Sequence, residues 1–263
     1  MEEIKQKVKQ NYTNVIATSG GCCEPSCCSP EDNISFLDDN YTGVEGYEKE
    51  ADYGLGCGLP TEIAEIKAGD TVLDLGSGAG NDAFTARKLT GEKGKVIGVD
   101  FTEAMIEKAN KNKERLGYSN VEFLLGDIEE MPLHDSSVDV IISNCVLNLV
   151  PDKEKAYSEI FRVLKPGGHF SISDVVLSGS LPGKITEAAE MYASCIAGAV
   201  EKDTYLEIIR NAGFENTEIK KEHKVVIPDE VLLKYISEDD LAAYRKNNSA
   251  LLSITFNGWK PKA

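Results

Sequence analysis

The chain has 263 residues, with 44 Asp and Glu against 28 Lys and Arg, a net charge of −16, and seven cysteines. That acidity excludes non-specific nucleic-acid binding and a polybasic membrane anchor, both of which need clustered cations, and an apolar share of 41% excludes a disordered chain. No apolar run approaches the ~20 residues of a membrane span and MEEIKQKVKQ lacks a signal-peptide core, so one main domain with appendages, located in the cytoplasm, is expected.

Ile4, Val8, Tyr12, Val15 and Ile16 have the spacing of a short amphipathic helix. It leads into GGCCEPSCCSP, where Cys22, Cys23, Cys27 and Cys28 sit among Gly, Pro and Ser. Such a loop offers little core for thiols to pack into. The separated Cys or His halves of a structural zinc site are missing, so soft-ion or redox chemistry suits these four better. Residues 31–60 are acidic and Gly-rich and read as an irregular cap, ending in EADYGLGCGLP. From residue 61 strands and helices alternate. TVLDLG (71–76), KVIGVD (95–100), VEFLLGD (121–127), VDVIISN (138–144) and HFSISDVVL (169–177) read as strands, the third and fourth apolar enough for burial on both faces. Helices are expected to about residue 90, over 102–117 behind Thr102, over 152–164 behind Asp152, and over 203–213 up to Gly213. ITEAAEMYASCIAGA is helix-like; beyond Phe214, HKVVI and LLSITF are strand-like around a charged helix near 229–246. This alternation implies a doubly wound α/β fold with a parallel sheet.

VLDLGSGAGNDAF (72–84) carries the strongest motif: a strand runs into Gly76, Ser77, Gly78 and Gly80 and then into a helix. Glycines permit close backbone approach to a ligand, and the helix start presents N–H groups. Asp100 ends the next strand, where such folds bond a ribose hydroxyl, with Phe101 beside it. The spacing is G-x-G-x-G and not the dinucleotide G-x-G-x-x-G. Asp74 just before the loop would repel a pyrophosphate and attract the amino group or sulfonium of S-adenosylmethionine. Asp127 is placed to accept from an adenine amine, with Ile128 against the ring and Met105 over its other face. Each has a plainer alternative: a cap for Asp100, a solvated loop for Asp127, core filling for Met105.

DLGSGAG, the Asp100 strand end, GDIEEMPL and LKPGG together resemble the class I S-adenosylmethionine-dependent methyltransferase core, over roughly residues 61–226. The resemblance implies a Rossmann-like sheet of seven strands, one of them antiparallel. The expected organisation is an N-terminal helix and Cys-rich cap (1–60), a donor-binding core (61–177), and a segment with the last sheet elements and a C-terminal extension (178–263).

Asn144 and Cys145 fall at the carboxyl end of strand four, the ligand edge of an open α/β sheet. YGLGCG, SNCVLNLVPDK and ASCIAGA, in this order around the core, resemble the arsenite methyltransferase family. The resemblance implies that Cys57, Cys145 and Cys195 hold trivalent arsenic, taken up free or as a thiol conjugate. Three sulfurs suit this soft element and leave its lone pair free for the sulfonium methyl. The nucleophile carries no proton, so no base is required, and His134, His169 and His223 lie in loop or strand positions with no evident partner. The resemblance further implies a redox relay of Cys57, Cys145 and an N-terminal cysteine, restored by glutathione or thioredoxin. Here four candidates stand where one is needed, and capture of arsenic is an alternative role for them. The alternatives to the enzyme reading are a methyltransferase for a quinone-like acceptor and a metalloid sensor or buffer on the same fold.

Overall fold

The computed structural model describes residues 2–19, 41, 43–186, 196, 198–247 and 249–262; Cys22, Cys23, Cys27, Cys28 and Cys195 lie outside them. After helix α1 (Glu2–Ser19) and a short helix α2 (Pro60–Ile63), strand β1 (Thr71–Leu75) opens the sheet. It is followed by α3 (Asn81–Thr90), β2 (Lys95–Asp100), α4 (Glu103–Leu116), β3 (Val121–Leu125) and β4 (Val138–Asn144). Then come α5 (Lys153–Val163), β5 (Leu164–Ser178), the helical turn α6 (Gly183–Thr186), α7 (Lys202–Asn211) and β6 (Glu215–Val225). Two short helices, α8 (Asp229–Leu232) and α9 (Glu238–Lys246), precede β7 (Ala250–Trp259). The strand order is β3-β2-β1-β4-β5-β7-β6. β1 to β5 are parallel, and β7 runs antiparallel to both its neighbours. This is the expected seven-stranded α/β methyltransferase sheet.

Local chemistry accounts for the element ends. Asp152 caps α5 by accepting from the Lys155 N–H at 2.9 Å. Ser237 and Asp240 form a capping box at the start of α9. Thr102 stands at the N-cap of α4 but its side chain makes no capping bond. The expectation of two-sided burial fails for β3: it is an edge strand, alternating buried and exposed, with Leu125 51% exposed. β4, in the middle of the sheet, is buried along most of its length.

One face of the sheet is closed by an aromatic cluster. Tyr157 of α5, Tyr205 of α7, Phe170 of β5, Phe256 of β7 and Phe214 form a chain of edge-to-face contacts, with Phe170 and Phe214 4.9 Å apart between ring centres. Phe170 is fully buried, so truncation leaves a cavity as well as losing transfer energy. Phe170→Ala is expected to lower stability by about 3–5 kcal/mol, read from urea denaturation midpoints at unchanged slope; a loss under about 1 kcal/mol would mean the cluster is not the keystone of this face.

Candidate active site

The order of the strands reverses between β1 and β4, and ligands of open α/β sheets bind outside the carboxyl ends at such a point. A cleft of about 1120 Å³, its mouth included, opens there. Its floor is the glycine loop, pinned to β2 by the Gly76 and Ser77 N–H groups, which donate to the Val99 carbonyl at 2.8 and 3.1 Å. Gly78 has φ +51°, and a Cβ there would meet only the Met105 sulfur at 3.9 Å, so this glycine presents bare backbone to the cleft. Gly80 serves differently. At φ +102°, a Cβ would lie 2.8 Å from both Phe84 and Phe123, so it lets α3 pack closely on the sheet and does not line the cleft.

Carboxylates converge on this floor. Asp74 is 2% exposed, and its Oδ2 has no hydrogen-bond partner among the described residues; the buried Oγ of Ser77 is in the same position. Burial, with Asp82 and Asp100 close by, raises the Asp74 carboxyl well above the usual range. Asp100 accepts from the Gly78 N–H at 3.0 Å and the Thr102 N–H at 2.8 Å. Burial raises its pKa while these bonds lower it. Asp82, in the first turn of α3, is pushed up to about 6, chiefly by burial, against hydrogen bonds from Asn144 and Tyr41 that favour its charge. A buried acidic cluster with orphaned oxygens fits a cationic ligand, and S-adenosylmethionine carries an ammonium and a sulfonium. Phe101, Met105, Asp127 and Ile128 line another end of the cleft. α1 closes over that end: Lys5 bridges Asp127 at 2.6 Å and Glu129 at 2.7 Å, with Val8 and Tyr12 facing the cleft.

The pH dependence follows from Asp82. Its folded pKa lies above the unfolded value, so its contribution to stability is fully present below the unfolded pKa and is lost as pH rises through about 6. The ligand-free protein is therefore expected to gain melting temperature from this group between pH 7.5 and 5. Over the same range the stabilisation by S-adenosylmethionine shrinks as the carboxylate neutralises. Melts of the wild type against Asp82→Asn check this; equal pH slopes in the two proteins would remove Asp82 as the source.

Two thiols sit beside the acidic floor. Cys145 follows β4 in a left-handed conformation, φ +58°, and its N–H donates to the Ser173 carbonyl at 2.8 Å. Backbone of this kind in a non-glycine residue is unusual and gathers at functional sites. Cys57 comes from the segment before α2; Asn144 Oδ1 accepts its N–H at 2.9 Å and its carbonyl accepts from Ser253 Oγ of β7 at 2.5 Å. Both cysteines are buried thiols, not joined in a disulfide. Their sulfurs and an Asp174 carboxylate oxygen all lie within 4.8 Å of one another. Asp174 accepts from the Tyr205 hydroxyl at 2.8 Å. Of the three separated cysteines, the structure thus brings Cys57 and Cys145 together. Cys195 is outside the described residues, although its neighbour Ile196 is buried in the same apolar cluster as the two thiols.

His169 takes a structural place. His169 Nε2 lies 2.6 Å from the Ala64 carbonyl and its ring stacks on Trp259. Tyr41, Asp82, Asp174, Lys5 and Glu129 were not anticipated. Two had a signal: Asp174 is the one acid in HFSISDVVL, and buried charges are rare without a reason. Asp82 follows the glycine loop directly, on the turn that must face the ligand edge.

The sheet order, the glycine loop and the cation-seeking cleft define a class I S-adenosylmethionine-dependent methyltransferase. A family model described as a methyltransferase domain matches residues 66–213. An arsenite methyltransferase of Halobacterium salinarum is 38% identical over 99% of this chain and 67% of its own length. The human arsenite methyltransferase is 36% identical over 90% of this chain and 64% of its own. Among solved structures, an arsenic(III) S-adenosylmethionine methyltransferase from Chlamydomonas reinhardtii superposes with a TM-score of 0.67 at 35% identity, covering 86% of this chain and 72% of that one. The chain belongs to the arsenite methyltransferase family.

Proposed function

We propose that the protein methylates trivalent arsenic held by Cys57 and Cys145, with Cys195 as the third sulfur. The observation that carries this reading is the buried sulfur pair at the ligand edge of the sheet, next to the acidic floor. S-adenosylmethionine, when bound, supplies an electrophilic sulfonium methyl. Asp74 takes the donor's cationic end, Asp100 its ribose, and Asp127 with Ile128 and Met105 its adenine; the Gly76–Gly78 backbone lets it approach. Cys57 and Cys145 orient the arsenic lone pair toward the methyl. The main catalytic contribution is alignment, since holding both reactants in a near-attack arrangement removes most of the entropic cost. Neither histidine nor a free carboxylate needs to act as base.

Transfer leaves the arsenic pentavalent. Two thiols can return it to the trivalent state by giving up two electrons and two protons and closing a disulfide, which an external thiol such as glutathione or thioredoxin reopens. Cys57, Cys145 and one of Cys22, Cys23, Cys27 and Cys28 are the proposed relay, in a cytoplasmic enzyme of arsenic detoxification. No helix among the described residues is long and apolar enough to cross a membrane. A quinone-like acceptor has no use for a buried thiol pair, and a sensor has no use for a donor cleft of this acidity. Incubation with arsenite, S-adenosylmethionine and a thiol, followed by arsenic speciation, decides: methylated arsenicals are expected. Arsenic bound without turnover would mean a sensor.

A further inference from the structure

The Asn144 side chain reaches both the thiol site and the donor cleft. Asn144 ends β4 with its amide between them. Oδ1 accepts the Cys57 N–H at 2.9 Å. Nδ2 donates to the Gly58 carbonyl at 2.8 Å and to Asp82 Oδ2 at 3.1 Å, and lies 2.6 Å from the Tyr41 hydroxyl. That hydroxyl in turn donates to Asp82 at 2.9 Å. A Cβ on Gly56 would come within 2.7 Å of Nδ2, so the loop carrying Cys57 is folded tightly around the amide.

The amide has only one tolerable orientation. Rotated by half a turn, it would set its carbonyl against the Asp82 carboxylate and its NH₂ against the Cys57 N–H, leaving two like-signed contacts in a buried place. The group that fixes the backbone of one arsenic ligand is therefore held in place by a carboxylate of the donor floor. A cation bound beside Asp74 and Asp82 relieves the repulsion among the acids and keeps Asp82 charged, which strengthens its grip on the amide.

We propose that Asn144 is a positioning residue coupling the two substrate sites, so that an occupied donor cleft tightens arsenic capture at Cys57. This rests on the assignment of arsenic to the Cys57–Cys145 pair. The role differs from the donor contact expected of this residue from sequence: Asn144 acts on the acceptor through the backbone of Cys57.

Linkage supplies the test, because coupling between two ligands must be equal in both directions. The arsenite Kd of the reduced full chain is measured by calorimetry with and without S-adenosylhomocysteine, which keeps the donor's ammonium group. The Cys57→Ser/Cys145→Ser double variant provides the background from the other thiols. Each protein is measured at about ten times its own S-adenosylhomocysteine Kd. In the wild type arsenite is expected to bind about fivefold or more tightly when the cleft is occupied, and S-adenosylhomocysteine to gain the same factor from arsenite. Asn144→Ala is expected to weaken arsenite binding about tenfold and to bring the ratio to one. Asp82→Asn removes the charge that responds to the nucleotide, so its ratio is also expected to fall to one. A merely structural loss would weaken binding equally in both conditions and keep the ratio, and that outcome overturns the proposal, as does a wild-type ratio of one. Absence of wild-type arsenite binding above the background would instead remove the site assignment itself, and the coupling with it.

Discussion

Cys57→Ser and Cys145→Ser are each expected to reduce arsenite methylation by a factor of about 1000 or more, with S-adenosylmethionine affinity within about threefold of wild type. The effect is large because a serine hydroxyl is a hard oxygen donor and trivalent arsenic prefers thiolate. It is also expected to be selective, because the groups proposed to hold the donor are Asp74, the glycine loop and Asp100 and not the thiols. Cys145 carries a second constraint, since its left-handed backbone is held by the bond to Ser173; serine keeps that bond and isolates the sulfur. Single-turnover methylation and equilibrium binding of S-adenosylhomocysteine, measured on the same preparations, separate the two effects. Near-normal turnover in either variant would show that arsenic is held elsewhere in the chain.

The second large effect is expected at Asp74. Its carboxylate is buried beside two others with one oxygen lacking a partner among the described residues, an arrangement that strains the empty site and rewards a cation. Asp74→Asn removes a buried charge at nearly constant shape. The variant is expected to melt at a higher temperature than the wild type without ligand, and to bind S-adenosylmethionine at least about tenfold more weakly. Opposite signs for stability and affinity are what distinguish a carboxylate kept for a ligand from one kept for the fold. If both fall together, Asp74 is an ordinary buried polar group of β1.

Much of this was legible from the residues. Most of the parallel half of the sheet could be read because its first four strands are short apolar runs ending in Gly, Asp or Asn. The antiparallel half was weaker: β6 is ENTEIKKEHKV, solvent-facing and charged along most of its length, and it is a strand because β7 pairs with it. Tertiary pairing of this kind leaves little local trace. The same holds for the site. Motif spacing marked Asp74, Asp100 and the glycines as candidates, and pattern resemblance marked the cysteines. Asn144 came out as a donor contact because its position on β4 was readable and its bond to Cys57, 87 residues away, was not. Gly80 was grouped with the ligand glycines; its neighbours Phe84 and Phe123 give it a packing role. Lys5 could not be found at all, since nothing in an exposed amphipathic helix says which carboxylate it will meet.

The position of β7 sets an order of events during synthesis. β5 and β6 leave the ribosome first but cannot meet in the sheet, because the strand that joins them follows both in the chain. The Ser253 hydroxyl that holds the Cys57 carbonyl belongs to that strand, 196 residues after the cysteine it steadies. A nascent chain can therefore complete the β3-β2-β1-β4-β5 half, with its donor floor, while Cys57 still lacks its β7 anchor. Closing so long a loop is slow but adds little free-energy penalty once strands are in place. Until then the Cys57 backbone lacks one of the two bonds that fix it in the finished fold.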